Sequence, residues 1–236
     1  MITKRLSALL AVILFMTTAP AFADTISQTK FFTGIPLMYN SLTFNQFDTH
    51  GGTWALQSIE VSLTLQASGG YIKLDNDSSL ADTFSFEFGV RGVLISTDVN
   101  LSNSLNQPVP GQIEVYRSRS FNLAGNVGDG TGDYDPTPPD GNFYNGDIIT
   151  DTNVGFVGNA FWNAGTKGFL GTGTYDINYF VSRHATYDDL YGGVEFMATP
   201  ANASGMVTVL YAYNTVPEPA TITLLSFGVF ALLRRK

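Results

Sequence analysis

Ile59-Glu60-Val61-Ser62-Leu63-Thr64-Leu65 alternates apolar and polar side chains without a break. Successive side chains of an extended chain point to opposite faces, so Ile59, Val61, Leu63 and Leu65 share one side and Glu60, Ser62 and Thr64 the other. The stretch predicts a strand buried on one face and wet on the other, as in an antiparallel sheet. The period recurs in Phe84-Ser85-Phe86-Glu87-Phe88-Gly89-Val90-Arg91, in Tyr175, Ile177, Tyr179 and Val181, and in Val207, Val209, Tyr211 and Tyr213. Turn-forming clusters separate these runs: Gly51-Gly52, Ser68-Gly69-Gly70, Asn76-Asp77-Ser78-Ser79, Gly192-Gly193 and Asn202 to Gly205. No stretch between the two ends of the chain sustains a helical period. The expectation is an all-β, antiparallel β-sandwich of jelly-roll-like form. Phe84, Phe86 and Phe88 are expected in its core; the alternative is an exposed aromatic strip on which sugars stack.

The chain has 236 residues, with 12 basic and 20 acidic side chains, a net charge of -8 and no cysteine. Disulfides and thiolate metal sites are excluded. An acidic chain without a basic block argues against nucleic acid as a partner.

Both ends read as addresses. Lys4 and Arg5 precede the apolar run Leu6 to Met16, and Ala21-Phe22-Ala23 has the small-x-small form of a cleavage site, with Asp24 as the mature start. Residues 1–23 are thus expected to be a signal peptide; an uncleaved membrane helix is the alternative. At the other end Val216-Pro217-Glu218-Pro219 is followed by an apolar segment from Ala220 to Leu233 and by Arg234-Arg235-Lys236. As a helix that segment would reach about 21 Å, short of a hydrocarbon core of about 30 Å. It suits transient membrane insertion, with the basic terminus on the cytoplasmic side; a permanent tail anchor is the alternative. Between the signals, residues 24–215 fit one domain. Without the leader's two basic residues and the tail's three basic and one acidic, that body keeps seven basic and nineteen acidic side chains, a net charge near -12.

Pro217-Glu218-Pro219, a short apolar helix and the basic cluster Arg234, Arg235, Lys236, in that order, resemble the PEP-CTERM sorting signal over residues 216–236. The resemblance implies processing near Pro-Glu-Pro by an exosortase, a membrane transpeptidase-like enzyme, and a surface or matrix destination in bacteria that make extracellular polysaccharide. The family's cluster is often all arginine, and Lys236 departs from it. A second resemblance lies in the body. Leu42-Thr43-Phe44-Asn45-Gln46-Phe47-Asp48, Gly52-Thr53 and Leu56 to Leu65 look like the opening of a choice-of-anchor E domain, with Tyr71 to Asn76, Gly171 to Tyr175 and Val207 to Tyr213 fitting its later strands. His50-Gly51 and Trp54-Ala55 depart from it. That family implies alternative C-terminal anchors and no biochemical activity.

The chemistry-bearing residues are few. Within Gly125 to Asp151, the residues Asp129, Thr131, Asp133, Asp135 and Asp140 fall at positions 1, 3, 5, 7 and 12 of an EF-hand-like count, which points to calcium, the one cofactor the sequence offers. Tyr134 stands where that loop wants glycine, and Asp140 is shorter than the usual glutamate. A solvated polar loop is the competing reading. His50 and His184 are expected to be structural or surface residues, and no nucleophile elbow or His-Glu-x-x-His motif occurs. Asp188-Asp189 reads as a turn. Asn76-Asp77-Ser78 and Asn202-Ala203-Ser204 match the glycosylation triplet but are explained by turn chemistry. No catalytic residue is expected. The sequence therefore points to an exported, non-enzymatic protein of the cell surface or extracellular matrix, with an exosortase-like enzyme and extracellular polysaccharide as partners. A calcium-assisted carbohydrate-binding module is the alternative, and a secreted glycan hydrolase a lesser one.

Overall fold

A computed structural model describes residues 23–126, 134–187 and 193–216. Eleven strands follow in chain order: β1 (Asp24–Gly34), β2 (Met38–Asn45), β3 (Trp54–Ser68), β4 (Tyr71–Asn76), β5 (Asp82–Ile95), β6 (Ile113–Leu123), β7 (Asn142–Asn145), β8 (Ile149–Phe156), β9 (Thr174–Tyr187), β10 (Val194–Thr199) and β11 (Asn202–Thr215). Helical structure among the described residues is limited to single 3-10 turns at His50–Gly52 and Asn159–Phe161.

The strands form two four-stranded sheets, in the orders β1-β11-β3-β8 and β2-β9-β5-β6, and a three-stranded sheet β10-β4-β7. All strand pairs are antiparallel. Leaving out β4, β7 and β10, the chain alternates between the large sheets at every step except the β5–β6 hairpin. That eight-stranded winding is a jelly roll. The three strands left out lie in the β3–β5, β6–β8 and β9–β11 connections, which all fall at one end of the sandwich. There they pair with one another and cap that end.

The period-2 pattern decides what is buried. Ile59, Val61, Leu63 and Leu65 of β3 meet Val207, Val209 and Tyr211 of β11 on the inner face of one sheet, all fully buried. Phe84, Phe86, Phe88 and Val90 of β5 and Tyr175, Ile177, Tyr179 and Val181 of β9 line the other. The three phenylalanines are core, as expected. A polar chain crosses the core: the Tyr175 hydroxyl lies 2.7 Å from that of Tyr211, which donates to the Asn45 carbonyl at 3.2 Å. Burial pushes both phenols well above the usual tyrosine range, so both stay protonated donors.

Two local expectations are corrected. Asn202 to Gly205 is the start of β11, not a turn; Gly205 is needed there because a Cβ would lie 2.6 Å from the ring of Phe32. Close approach of a neighbour, not a bend, is the reason for that glycine. Gly125 to Asp151 is not one loop, since β7 and the start of β8 fall within it. His184 lies inside β9. Asn76 does its turn work as expected: its side-chain amide donates to the carbonyls of Leu80 and Ala124, and its Oδ1 accepts the Ser78 N–H.

Candidate functional site

Of the expected calcium ligands, Asp129, Thr131 and Asp133 lie outside the described residues, whereas Asp135 and Asp140 are inside. Asp135 donates its backbone N–H to Asp75 Oδ2 at 2.7 Å and accepts the Thr137 N–H on Oδ1. Asp140 is buried, and its carbonyl takes the Asn76 N–H at 3.2 Å. These contacts tie the far half of the acidic segment to the three-stranded sheet. Tyr134, in the sixth position of the count, packs there too, and burial raises its phenol to about 12. Among the described residues no cluster of three histidine or acidic side chains is placed to hold a metal ion. Asp147 is taken by Arg119 at 2.8 Å and by the Tyr144 hydroxyl at 3.1 Å. Asp188-Asp189, Ala21 and the sorting residues Pro217, Glu218, Pro219, Arg234, Arg235 and Lys236 lie outside the described residues.

The outer face of β2-β9-β5-β6 carries a charged cluster that sequence reasoning did not assemble. Gly89 of β5 stands opposite Tyr116 of β6 and His184 of β9. Without a side chain between them, the Tyr116 and His184 rings stack, 4.3 Å apart at 14°. A Cβ on Gly89 would collide with the Val115 carbonyl and lie 2.6 Å from Tyr116 Cα. His184, only 11% exposed, donates Nε2–H to Glu87 at 2.9 Å, and Thr186 donates to the same oxygen. These bonds hold the Glu87 carboxyl below the usual range, the His184 bond being the larger cause. Glu114 lies 4.0 Å from Nδ1 of the same ring. Arg91 Nε donates to Ser182 at 3.0 Å. Each of these residues is unremarkable alone; only the register β6-β5-β9 joins them.

The outer face of β1-β11-β3-β8 has the opposite character. Register places Thr29, Thr208, Ser62 and Val154 in one row, Phe31, Met206, Thr64 and Thr152 in the next, and Thr33, Ser204, Gln66 and Thr150 in a third. Hydroxyls pair across the strands, Thr29 with Thr208 and Thr64 with Thr152, each at 2.9 Å. Gln66 joins Thr150 at 3.0 Å and accepts from Ser204 at 3.3 Å. Glu60 is the one ionisable side chain among the outward positions of these rows and the next, where it stands opposite Leu210 and Phe156. Phe31 (74% exposed) and Phe156 (58%) stand out from this surface. A shallow groove of about 380 Å³ runs between Phe31, Thr33, Gln66, Thr150 and Met206. Exposed rings among fixed hydroxyl and amide groups are the chemistry that meets an uncharged sugar: a ring face for its C–H side and hydrogen-bonding partners for its hydroxyls.

Both ends of the domain leave from the side opposite the three-stranded sheet. Asp24, the first residue of β1, pairs with Tyr213, and Thr215 pairs with Trp54. The Val216 N–H donates to the Thr53 carbonyl at 2.7 Å. Trp54 stacks on Tyr213 at 4.5 Å and takes the edge of His50, which sits in the 3-10 turn. A cut between Ala23 and Asp24 would leave β1 whole.

The fold thus defines a jelly-roll β-sandwich, and its tail carries a sorting address. Residues 215–236 match the PEP-CTERM protein-sorting motif. The motif makes this an exported protein sorted through the membrane by exosortase. No curated protein matches the chain. Among solved structures, one from Desmodium yellow mottle tymovirus is similar at 10% identity and a TM-score of 0.20, over 85% of this chain and 93% of that one. The D431N mutant VP2 protein of infectious bursal disease virus is similar at 14% identity and a TM-score of 0.18, over 85% of this chain and 40% of that one. Likeness at that level carries no argument, and the jelly-roll assignment rests on strand order alone.

Proposed function

We propose that this protein is a non-enzymatic structural or adhesive module of the cell surface or extracellular matrix, holding extracellular polysaccharide after exosortase has processed its tail. The observation that carries the reading is the sorting motif on a chain whose body is a jelly roll with a hydroxyl- and ring-bearing face on which Glu60 is the one ionisable side chain. The last described residue, Val216, lies at the end of the sandwich opposite the three-stranded sheet. The long strands of the body, β1, β3, β5, β6, β9 and β11, have 11–15 residues and span about 36–50 Å at 3.3 Å per residue. The likeness of β2 and β3 to a choice-of-anchor E opening accords with this, since such domains are defined by how they are tethered.

A calcium-assisted variant of the same reading rests on Asp135 and Asp140, which are fixed against the three-stranded sheet and would hold the far end of an ordered loop. Protection of residues 129–140 from proteolysis by millimolar calcium would support it, and equal cleavage with and without calcium would remove it.

The first experiment is intact mass and fractionation of the native protein, with and without the host exosortase. The expected result is a species beginning at Asp24 and ending near Val216 to Pro219, outside the inner membrane and retained by the host's own polymer. An unprocessed chain held in the inner membrane in both strains would overturn the sorting reading for the final product. A processed protein that does not bind the polymer would overturn only the adhesive part.

A further inference from the structure

At the capped end, β9 outruns the sheet that faces it. Val181 is buried, but Arg183, Ala185 and Tyr187, on the same inward-facing side of the strand, are exposed. β5 runs beside them in register, with Val90 opposite Arg183, Phe88 opposite Ala185 and Phe86 opposite Tyr187. The opposing sheet has ended at Ser68 and Asn202, and the three-stranded sheet takes over at Tyr71 after Gly69-Gly70. The result is a groove of about 120 Å³ between the two, lined by Phe84, Phe86, Phe88, Phe196 and Tyr187, with Arg183 at its side. The ring of Phe196 lies 5.0 Å from Tyr187 and 6.4 Å from Phe84. Glu87, His184 and Thr186 contribute to the lining, but their polar side-chain atoms bond to one another on the outer face of the sheet.

Two features set this groove apart from the rest of the surface. Its floor is three phenylalanine rings with no hydrogen-bonding group, so a sugar seated there would lose its hydroxyls' partners. Arg183 also makes no ion pair with any described residue, as is true of Lys30, Lys73 and Arg91, but of these four it alone lines the groove. Guanidinium binds a carboxylate through two parallel hydrogen bonds, and an apolar cavity of about 150 Å³ holds one benzene ring.

We propose that the groove is a binding site for a small amphiphilic carboxylate, with one ring or a short branched chain seated on Phe84, Phe86 and Phe88 and its carboxylate on Arg183. The site is independent of polysaccharide binding on the hydroxyl-bearing face.

The test is an NMR titration of the exported protein with benzoate, benzyl alcohol, benzylamine and acetate, following the methyl signals of Ala185 and Ala198. The expected order is benzoate tightest, benzyl alcohol weaker by about tenfold, and benzylamine and acetate weaker still. Arg183→Gln should bring benzoate down to the level of benzyl alcohol without changing the melting temperature, since Arg183 is exposed. Ala198→Phe should block all three aromatic probes. Benzylamine binding as tightly as benzoate, an unchanged benzoate affinity in Arg183→Gln, or shifts confined to other parts of the protein would each overturn the proposal.

Discussion

The two outer faces of the sandwich are built by the same rule and do different things. On β2-β9-β5-β6 the outward positions hold ionisable groups whose hydrogen bonds are taken up by neighbours: Glu87 with His184, Arg91 with Ser182, and Asp176 with Thr43 at 2.6 Å. On β1-β11-β3-β8 they are hydroxyls, amides and exposed rings. In a body near -12 this second face carries Glu60 as the one ionisable side chain of its four rows. A charged cluster of matched pairs holds a sheet together and leaves little free for a ligand. A face of hydroxyls, each able to donate and accept, keeps hydrogen-bonding capacity in reserve.

The comparison can be broken at its tightest point. Gly89→Val drives a branched side chain between Tyr116 and His184 and against the β6 backbone, and should cost about 3 kcal/mol in urea unfolding. A variant as stable as the parent would mean that the stack of Tyr116 on His184 is not set by that glycine. Tyr211→Phe strikes both sheets alike, because it leaves the Tyr175 hydroxyl without a partner and the Asn45 carbonyl with the Gln28 amide as its remaining side-chain donor; about 2 kcal/mol is expected. Tyr175→Phe leaves the bond from Tyr211 to Asn45 in place and should cost only about 1 kcal/mol. The order of the two, read from their unfolding midpoints, tests the direction of the hydrogen-bond chain.

A pH measurement sharpens the charged side. Glu87 is held below its ordinary pKa by His184 and Thr186, so its contribution is whole above about pH 4.3 and is lost as pH falls through the lower folded value. Glu87→Gln should therefore be less stable at neutral pH and show a flatter acid limb in thermal melts. An acid limb identical to the parent's would exclude Glu87 as a source of that dependence. The smallest stability effect belongs to the other face. Phe31→Ala and Thr208→Val should stay within about 0.5 kcal/mol of the parent, because their side chains lie on the outer surface. Their cost should appear in polymer retention instead, with Phe31→Ala the larger loss. If Tyr116→Ala abolishes retention and Phe31→Ala does not, the roles of the two faces are exchanged.

How far the sequence carried varies by residue. β3 was legible from Ile59 to Leu65 because period-2 alternation is a local property and burial follows it directly. Asn202 to Gly205 was misread because a glycine can mark either a bend or a neighbour's close approach, and Phe32, more than 170 positions away, decides which. The charged cluster escaped for the same kind of reason. Glu87, Glu114 and His184 lie on three strands whose pairing is set by winding, and nothing near any one of them signals the other two. Arg183 was invisible as a site because its isolation depends on where the opposing sheet ends.

By itself the sequence determined the strand class of the body, the acidic and cysteine-free chemistry, and the sorting address at the tail, all of which are written in short stretches of chain. Tertiary structure decided the jelly-roll order, the contrast between the two outer faces, the common exit of both termini and the phenylalanine-floored groove beside Arg183. Alternation tells a side chain to be buried or exposed, but register and sheet order, set by packing between distant strands, choose its neighbours.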